Sequence, residues 1–144
     1  MIYGIFGNLD EDERDRTLAA LRQALPQGAV FVFDCFTEAY AKEAIMPRDW
    51  YANEGEGFWR RGPHLVLEGG AVLEDIRSTV NSYHVISRSG KMKSYHIRHR
   101  WYDRAELELV LDRAGFELES LGAGLDGNED PAKWMGVVAR RTGQ

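Results

Sequence analysis

Leu25-Pro26-Gln27-Gly28-Ala29-Val30-Phe31-Val32-Phe33-Asp34-Cys35-Phe36 closes one element and opens another. Pro26-Gln27-Gly28 stops a helix, because proline cannot continue one and glycine suits the residue just past its end. The run from Ala29 to Phe36 is apolar at every position but Asp34. Such a run reads as a strand buried on both faces, as in a parallel sheet covered by helices. Upstream, Leu18, Leu21 and Leu25 make an apolar stripe, with Ala19, Ala20 and Ala24 beside it. Asp10 opens this helix. Glu13 stands three residues on, the capping-box spacing, and the acids at 10 to 13 lie where the helix dipole favours anions. A helix feeding a buried strand is half of a βαβ unit. Met1 to Phe6, short and apolar, reads as the tail of an earlier strand running into Gly7-Asn8.

Downstream, Glu38 to Ile45 reads as a short helix, and Pro47 to Pro63 as an irregular stretch holding Trp50, Tyr51, Phe58 and Trp59. His64 to Val72, Arg77 to Ile86 and Met92 to Trp101 follow as three antiparallel strands. Arg88-Ser89-Gly90-Lys91 is a hairpin signal. A symmetric loop over those four residues sets Tyr83 opposite His96, Asn81 opposite Arg98 and Thr79 opposite Arg100. That makes one polar, cationic face, with Val80, Ile86, Ile97 and Trp101 on the other. A slip of one residue exchanges the faces. Asp103 caps a second helix with Glu106 three residues on; Leu107, Val110, Leu111 and Ala114 form its stripe, and Gly115 ends it. Phe116 to Leu121 is a strand, 122–131 a polar loop, and Trp134 to Arg140 a last strand antiparallel to its predecessor.

The chain has 144 residues, 44% hydrophobic and 28% charged, with four prolines. That suits one folded domain, 1–144, able to bury a core. A net charge of −5 argues against sequence-independent nucleic-acid binding, which needs a basic surface. Cys35 is the lone cysteine, so no internal disulfide forms, as expected in a reducing compartment. No stretch nears the roughly 18 apolar residues of a membrane span, and the N-terminus lacks a signal-peptide layout. A soluble cytoplasmic protein without membrane contact is expected.

Several motifs fail on context. Gly122-Ala123-Gly124 lacks a following helix and the third glycine of a dinucleotide fingerprint. Asp126, Asn128 and Asp130 are spaced like calcium ligands, but Pro131 and Val137 replace the required glycine and glutamate. His64, His84, His96 and His99 show no metal spacing on a helix, and no metal site is expected. Asp34, near the carboxyl end of its strand, either faces a ligand crevice or bonds a neighbouring backbone amide. Tyr83, His96, Arg98 and Arg100 are either a solvated sheet face or a lid that orients an anionic or polar group.

The ordered set Tyr3-Gly4-Ile5-Phe6-Gly7-Asn8-Leu9, the acid-capped helix, Leu25-Pro26-Gln27-Gly28 and Val30 to Asp34 resembles the centre of a class I S-adenosylmethionine (SAM)-dependent methyltransferase. The turn is a near match to that family's Leu-x-Pro-Gly-Gly. Ala114-Gly115-Phe116 and the closing strands ending Val137-Val138-Ala139-Arg140-Arg141 are similar to its final hairpin. The strands from Phe58 onward resemble the antiparallel insertion that many small-molecule methyltransferases place over the active site. The resemblance implies an α/β fold: a partial Rossmann-like sheet (1–46 and 103–144) with an inserted three-stranded antiparallel meander (47–102) as substrate cap. It implies SAM as cofactor, with Tyr3, Phe6 and Asn8 on its side, and a small-molecule substrate met by Trp50, Trp59, Tyr83, His96 and Arg98. The family's glycine-rich cofactor loop is not among these residues. The expectation is therefore the C-terminal portion of such an enzyme, inactive as this chain alone. The edge near Met1 to Phe6 would be covered by a second copy of the chain or by a separate N-terminal half. The alternative is a non-catalytic ligand- or partner-binding module, a degenerate or split methyltransferase remnant.

Overall fold

A computed structural model describes residues 3–125, 130 and 132–143. In chain order the elements are α1 (Ile5–Asn8), α2 (Glu11–Ala24), β1 (Val30–Phe36), α3 (Glu38–Glu43), β2 (Asp49–Asn53), β3 (His64–Leu73), a 3-10 turn (Glu74–Ile76), β4 (Ser78–Ser87), β5 (Met92–Arg100), α4 (Arg104–Arg113), β6 (Phe116–Gly122) and β7 (Trp134–Arg141). The fold is mixed α/β. The chain forms two compact units, one of Met1–Ala41 with His99–Gln144, the other of Lys42–Arg98. Among the described residues, no helix is long and apolar enough to cross a membrane.

The first unit is built on a sheet ordered β1-β7-β6, antiparallel throughout. Phe31, Phe33 and Cys35 of β1 point into a core shared with Phe6, Leu18, Tyr102, Leu107, Leu111, Phe116, Val137 and Ala139. Alternation carries this, since every second strand residue shares a face. The double-sided burial read from Ala29 to Phe36 holds only from Phe33 on; Val30 and Val32 are exposed. Both helix starts follow their caps. Asp10 accepts from the Glu13 amide at 2.7 Å, and the Glu13 carboxylate accepts from the Asp10 amide at 3.0 Å. Asp103 accepts from the Glu106 amide at 2.9 Å.

The N-terminal segment departs from the strand expected there. Tyr3 and Gly4 form a turn that leads into the helical turn α1, and Met1 and Ile2 lie outside the described residues. Asp34 accounts for the turn. Its carboxylate is fully buried and accepts from the Tyr3 amide at 3.0 Å and the Gly4 amide at 2.7 Å. Of the two readings of Asp34, the backbone-bonding one holds. Gly4 sits at φ 67°, and a Cβ built there would overlap the Phe36 ring. Arg100, expected on the cationic sheet face, is instead buried in this unit. It pairs with Glu106 and with Glu11 at 3.3 Å, its guanidinium 5.4 Å from the Tyr102 ring centroid.

The second unit is a four-stranded antiparallel sheet ordered β2-β3-β4-β5. The expected meander is β3 to β5. β2 adds an edge strand within the stretch read as irregular, because five residues, Asp49-Trp50-Tyr51-Ala52-Asn53, are too few to show an alternation. Asn81 is buried and bonds the chain after α3, donating to the Ala44 carbonyl at 3.0 Å and accepting from the Met46 amide at 2.9 Å.

The β4–β5 hairpin is one residue shorter than the symmetric four-residue loop. The Ser87 amide donates to the Lys91 carbonyl at 2.9 Å, and the Gly90 amide to the Ser87 carbonyl at 2.8 Å. Gly90 takes φ 79°, as a three-residue hairpin loop requires of its last residue. Ser87 therefore faces Lys91. The same register brings His84 Nδ1 to Ser94 Oγ at 2.8 Å and Ser82 Oγ to His96 Nδ1 at 2.9 Å. Tyr83 is then opposite Tyr95, and His96 points to the other face.

Two tests address the first unit. Phe36 is wedged by Tyr40, His99 and Trp134, with ring centroids 5.1, 5.1 and 4.7 Å away, so it has no room to give way. Gly4→Ala adds left-handed strain to that overlap and is expected to cost at least about 2 kcal/mol in urea unfolding. His99 packs edge-on against Phe36, and burial lowers its pKa below the usual histidine value. The unfolded chain then binds the proton more readily. Stability is full above the ordinary histidine pKa and falls as pH drops through it. The melting temperature should decline from about pH 7 to about 5.5, and less so in His99→Phe.

Candidate functional site

The register of the second unit sorts its side chains into two faces. Pairing sets Asp49 opposite Glu68, Glu68 opposite Tyr83, and Tyr83 opposite Tyr95. It likewise aligns Tyr51, Val66 and Val85 in the neighbouring row. Trp59, from the loop after β2, lies on this face, with its ring 4.5 Å from Tyr83 and 5.1 Å from Tyr95. Its indole N–H donates to the Tyr51 hydroxyl at 3.0 Å. Burial, and next the nearby Glu68 charge, raise the Tyr83 pKa. The phenol stays neutral, and both donor and acceptor.

Beside this cluster lies a groove of about 460 Å³. Trp59, Tyr95 and Val85 give it apolar walls, and Arg60, Arg61, Lys91 and Lys93 give it charge. Lys91, Lys93 and Tyr95 share a face because they alternate along one strand. Phe58, 90% exposed, stacks edge-on against Trp59 at 4.9 Å.

The opposite face carries Trp50, Leu67, His84 and Ser94 in one row, with Ser82 and His96 in the next. Trp50 is 64% exposed. His84 and His96 lie 6.2 Å apart, ring to ring, each held by a serine. Among the described residues, no group of three or more metal-ligating side chains occurs. His64 is buried, its Nδ1 2.8 Å from the Gly62 carbonyl.

The structure thus joins Trp59 to Tyr83 but puts His96 and Trp50 on the other side of the sheet. Arg98 follows His96 two residues on and is half-buried. In the first unit, Tyr3 is 65% exposed and Asn8 is exposed, whereas Phe6 is fully buried, 4.3 Å from Phe33 and 5.2 Å from Tyr102. Asp126 and Asn128 lie outside the described residues. The sequence reading gave no site role to Tyr95, Arg60, Arg61, Lys91 and Lys93. For three of them the signal was present: Lys91, Lys93 and Tyr95 show the period-two spacing of one strand face.

No family model matches the sequence, and no curated protein matches it. Solved structures do. The CcbJ methyltransferase of Streptomyces caelestis is 24% identical, with a TM-score of 0.58 over 96% of this chain and 57% of that one. A SAM-dependent methyltransferase of Clostridium acetobutylicum is 13% identical, with a TM-score of 0.60 over 93% of this chain and 53% of that one. The sugar N-methyltransferase KedS8 of a Streptoalloteichus species is 19% identical, with a TM-score of 0.56 over 98% and 54%. This chain spans little more than half the length of each. It shares, over nearly all of its own length, the fold of part of a SAM-dependent methyltransferase.

Proposed function

We propose that this chain is the C-terminal, substrate-covering portion of a SAM-dependent methyltransferase acting on a small molecule, and that it does not transfer a methyl group unaided. The carrying observation is the fold match over 96% of this chain to only 57% of the CcbJ methyltransferase. Solved methyltransferases of this shape include one for sugar nitrogen. The substrate class here follows that lead.

The residues present supply only the margin of a SAM cradle. A glycine-rich loop opening a helix is the usual way to bring backbone N–H groups close to such a cofactor, and no such run occurs in the 144 residues. Asp34, a buried carboxylate beside this turn, is committed to the Tyr3 and Gly4 amides. Phe6 supports the turn from the core, leaving Tyr3 and Asn8 for the cofactor side. SAM, when bound, supplies an activated methyl group for in-line transfer. The chain's part is positioning, which lowers such barriers by holding the acceptor in line. Trp59 and Tyr83 give an aromatic wall with a neutral phenol for a hydroxyl or amine. Trp50, His96 and Arg98, on the opposite face of that sheet, would serve a contact separate from this wall.

Among the described strands, β1 is the outermost on one side of its sheet, with Val30 and Val32 exposed. An apolar edge of this kind seeks a partner strand. A cofactor-binding half fits it, as does a second copy of the chain. The edge expected near Met1–Phe6 adjoins β1, where Asp34 holds the Tyr3 and Gly4 amides. A reducing cytoplasm is the proposed setting for the lone cysteine; burial, then the Asp34 and Glu106 charges, push the Cys35 thiol up to about 12, which keeps it unreactive. The second reading, a binding module without catalysis, draws support from the aromatic face and groove, which lie wholly within one unit.

Calorimetric titration of SAM into the purified chain separates these outcomes. No tight, stoichiometric binding is expected from the chain alone. Light scattering should report an assembly larger than a monomer, or a complex once a glycine-rich methyltransferase N-terminal half is added, with SAM binding appearing only then. Tight binding by the isolated monomer would sink the proposal.

A further inference from the structure

The groove beside Trp59 gathers four cations in a chain whose net charge is −5. No carboxylate is among its lining residues. Among the described residues, Glu56 is the acid that pairs with these cations, 3.9 Å from Arg61, with both side chains more than 80% exposed. Such a pair adds little. Glu68 lies on the same sheet face but opposite Tyr83, outside the lining. Four like charges drawn together raise the local potential and favour a counter-anion.

The placement of the lysines is fixed by the hairpin. Ser87 Oγ accepts from the Lys91 amide at 3.1 Å, donates to the Lys91 carbonyl at 3.0 Å, and lies 3.0 Å from Ser89 Oγ. Lys91 therefore leaves a pinned turn, and Lys93 follows on the same face. Arg60 and Arg61 arrive from the loop whose Trp59 is anchored on Tyr51. Arginine forks and lysine ammonium groups together suit phosphate oxygens, and the rings of Trp59 and Tyr95 suit a flat or apolar body.

We propose that this groove binds a small molecule bearing a phosphate ester or diphosphate, its anionic group among Arg60, Arg61, Lys91 and Lys93 and its body against Trp59 and Tyr95. The inference stands on the four-stranded unit alone and does not require methyl transfer.

The test uses the full chain labelled with 15N. Inorganic pyrophosphate should shift amides within 59–61 and 87–95, with affinity falling as salt is raised. The double variant Lys91→Glu, Lys93→Glu should weaken binding by about tenfold or more, while Arg104→Glu, on α4, leaves it unchanged. If the double variant loses its dispersed spectrum, Lys91→Gln, Lys93→Gln takes its place, with a smaller loss expected. Phenyl phosphate should bind more tightly than inorganic phosphate, and Trp59→Ala should abolish that difference. Shifts scattered over the surface, or affinity indifferent to both lysine pairs, overturn the site. Equal binding of the two phosphates overturns the aromatic wall. A thymidine oligonucleotide binding more tightly than pyrophosphate overturns the small-molecule assignment.

Discussion

The carboxylate of Asp34 sets the geometry on which the first unit depends. A fully buried carboxylate is costly unless donors surround it. Here two backbone amides do so, from residues about thirty positions earlier in the chain. Charge-assisted bonds of this kind contribute roughly 1.5–3 kcal/mol each. They draw Tyr3 and Gly4 onto the end of β1, where a side chain at position 4 would meet Phe36. The chain then enters α1 and inserts Phe6 between Phe33 and Tyr102. One acid thus closes the core and leaves Tyr3 and Asn8 outside.

The second unit depends on a count of residues. Strand side chains alternate, so pairing parity decides which groups meet. With three residues in the β4–β5 loop, Ser87 faces Lys91, and Tyr83, Tyr95, Lys91 and Lys93 share a face. With four, Tyr83 would join His96 instead. The difference is Gly90 in a left-handed conformation, which lets Lys91 begin the ladder rather than end the turn.

Elements governed by local chemistry were legible in the sequence. Asp10 with Glu13 and Asp103 with Glu106 announced their helices because a cap needs only residues three apart. The run Val30 to Phe36 and the closing pair β6–β7 were legible from length and apolar content. Elements governed by distant contacts were not. α1 is a single turn held by Asp34. β2 is five residues stabilised by pairing with β3. Arg100 turned inward because Glu11 and Glu106 were waiting for it. The site divides the same way. Trp59 and Tyr83 were both named and do meet. Phe6 was named for the cofactor side but fills the core, since the turn that inverts it is a tertiary effect.

Charge illustrates why composition alone misjudges a surface. A net −5 argues against a nonspecific polyanion partner only if the charge is evenly spread. Much of the acid is spent elsewhere: Glu11, Asp12 and Glu13 complement the α2 dipole, Glu106 pairs with Arg100, and Glu119 with Arg140. Arg60 and Arg61 of the loop after β2, with Lys91 and Lys93 at the start of β5, are left facing one groove. An acidic protein can therefore present a cationic, aromatic-walled recess, and the two facts have one cause. Helix starts and core ion pairs draw the acids to the first unit, and strand alternation draws the lysines to one face of the second. Shape likeness at 24% identity or less carries the fold and leaves the chemistry to such local arrangements. The recess lies inside one compact unit, so its walls are complete without any residue of the other.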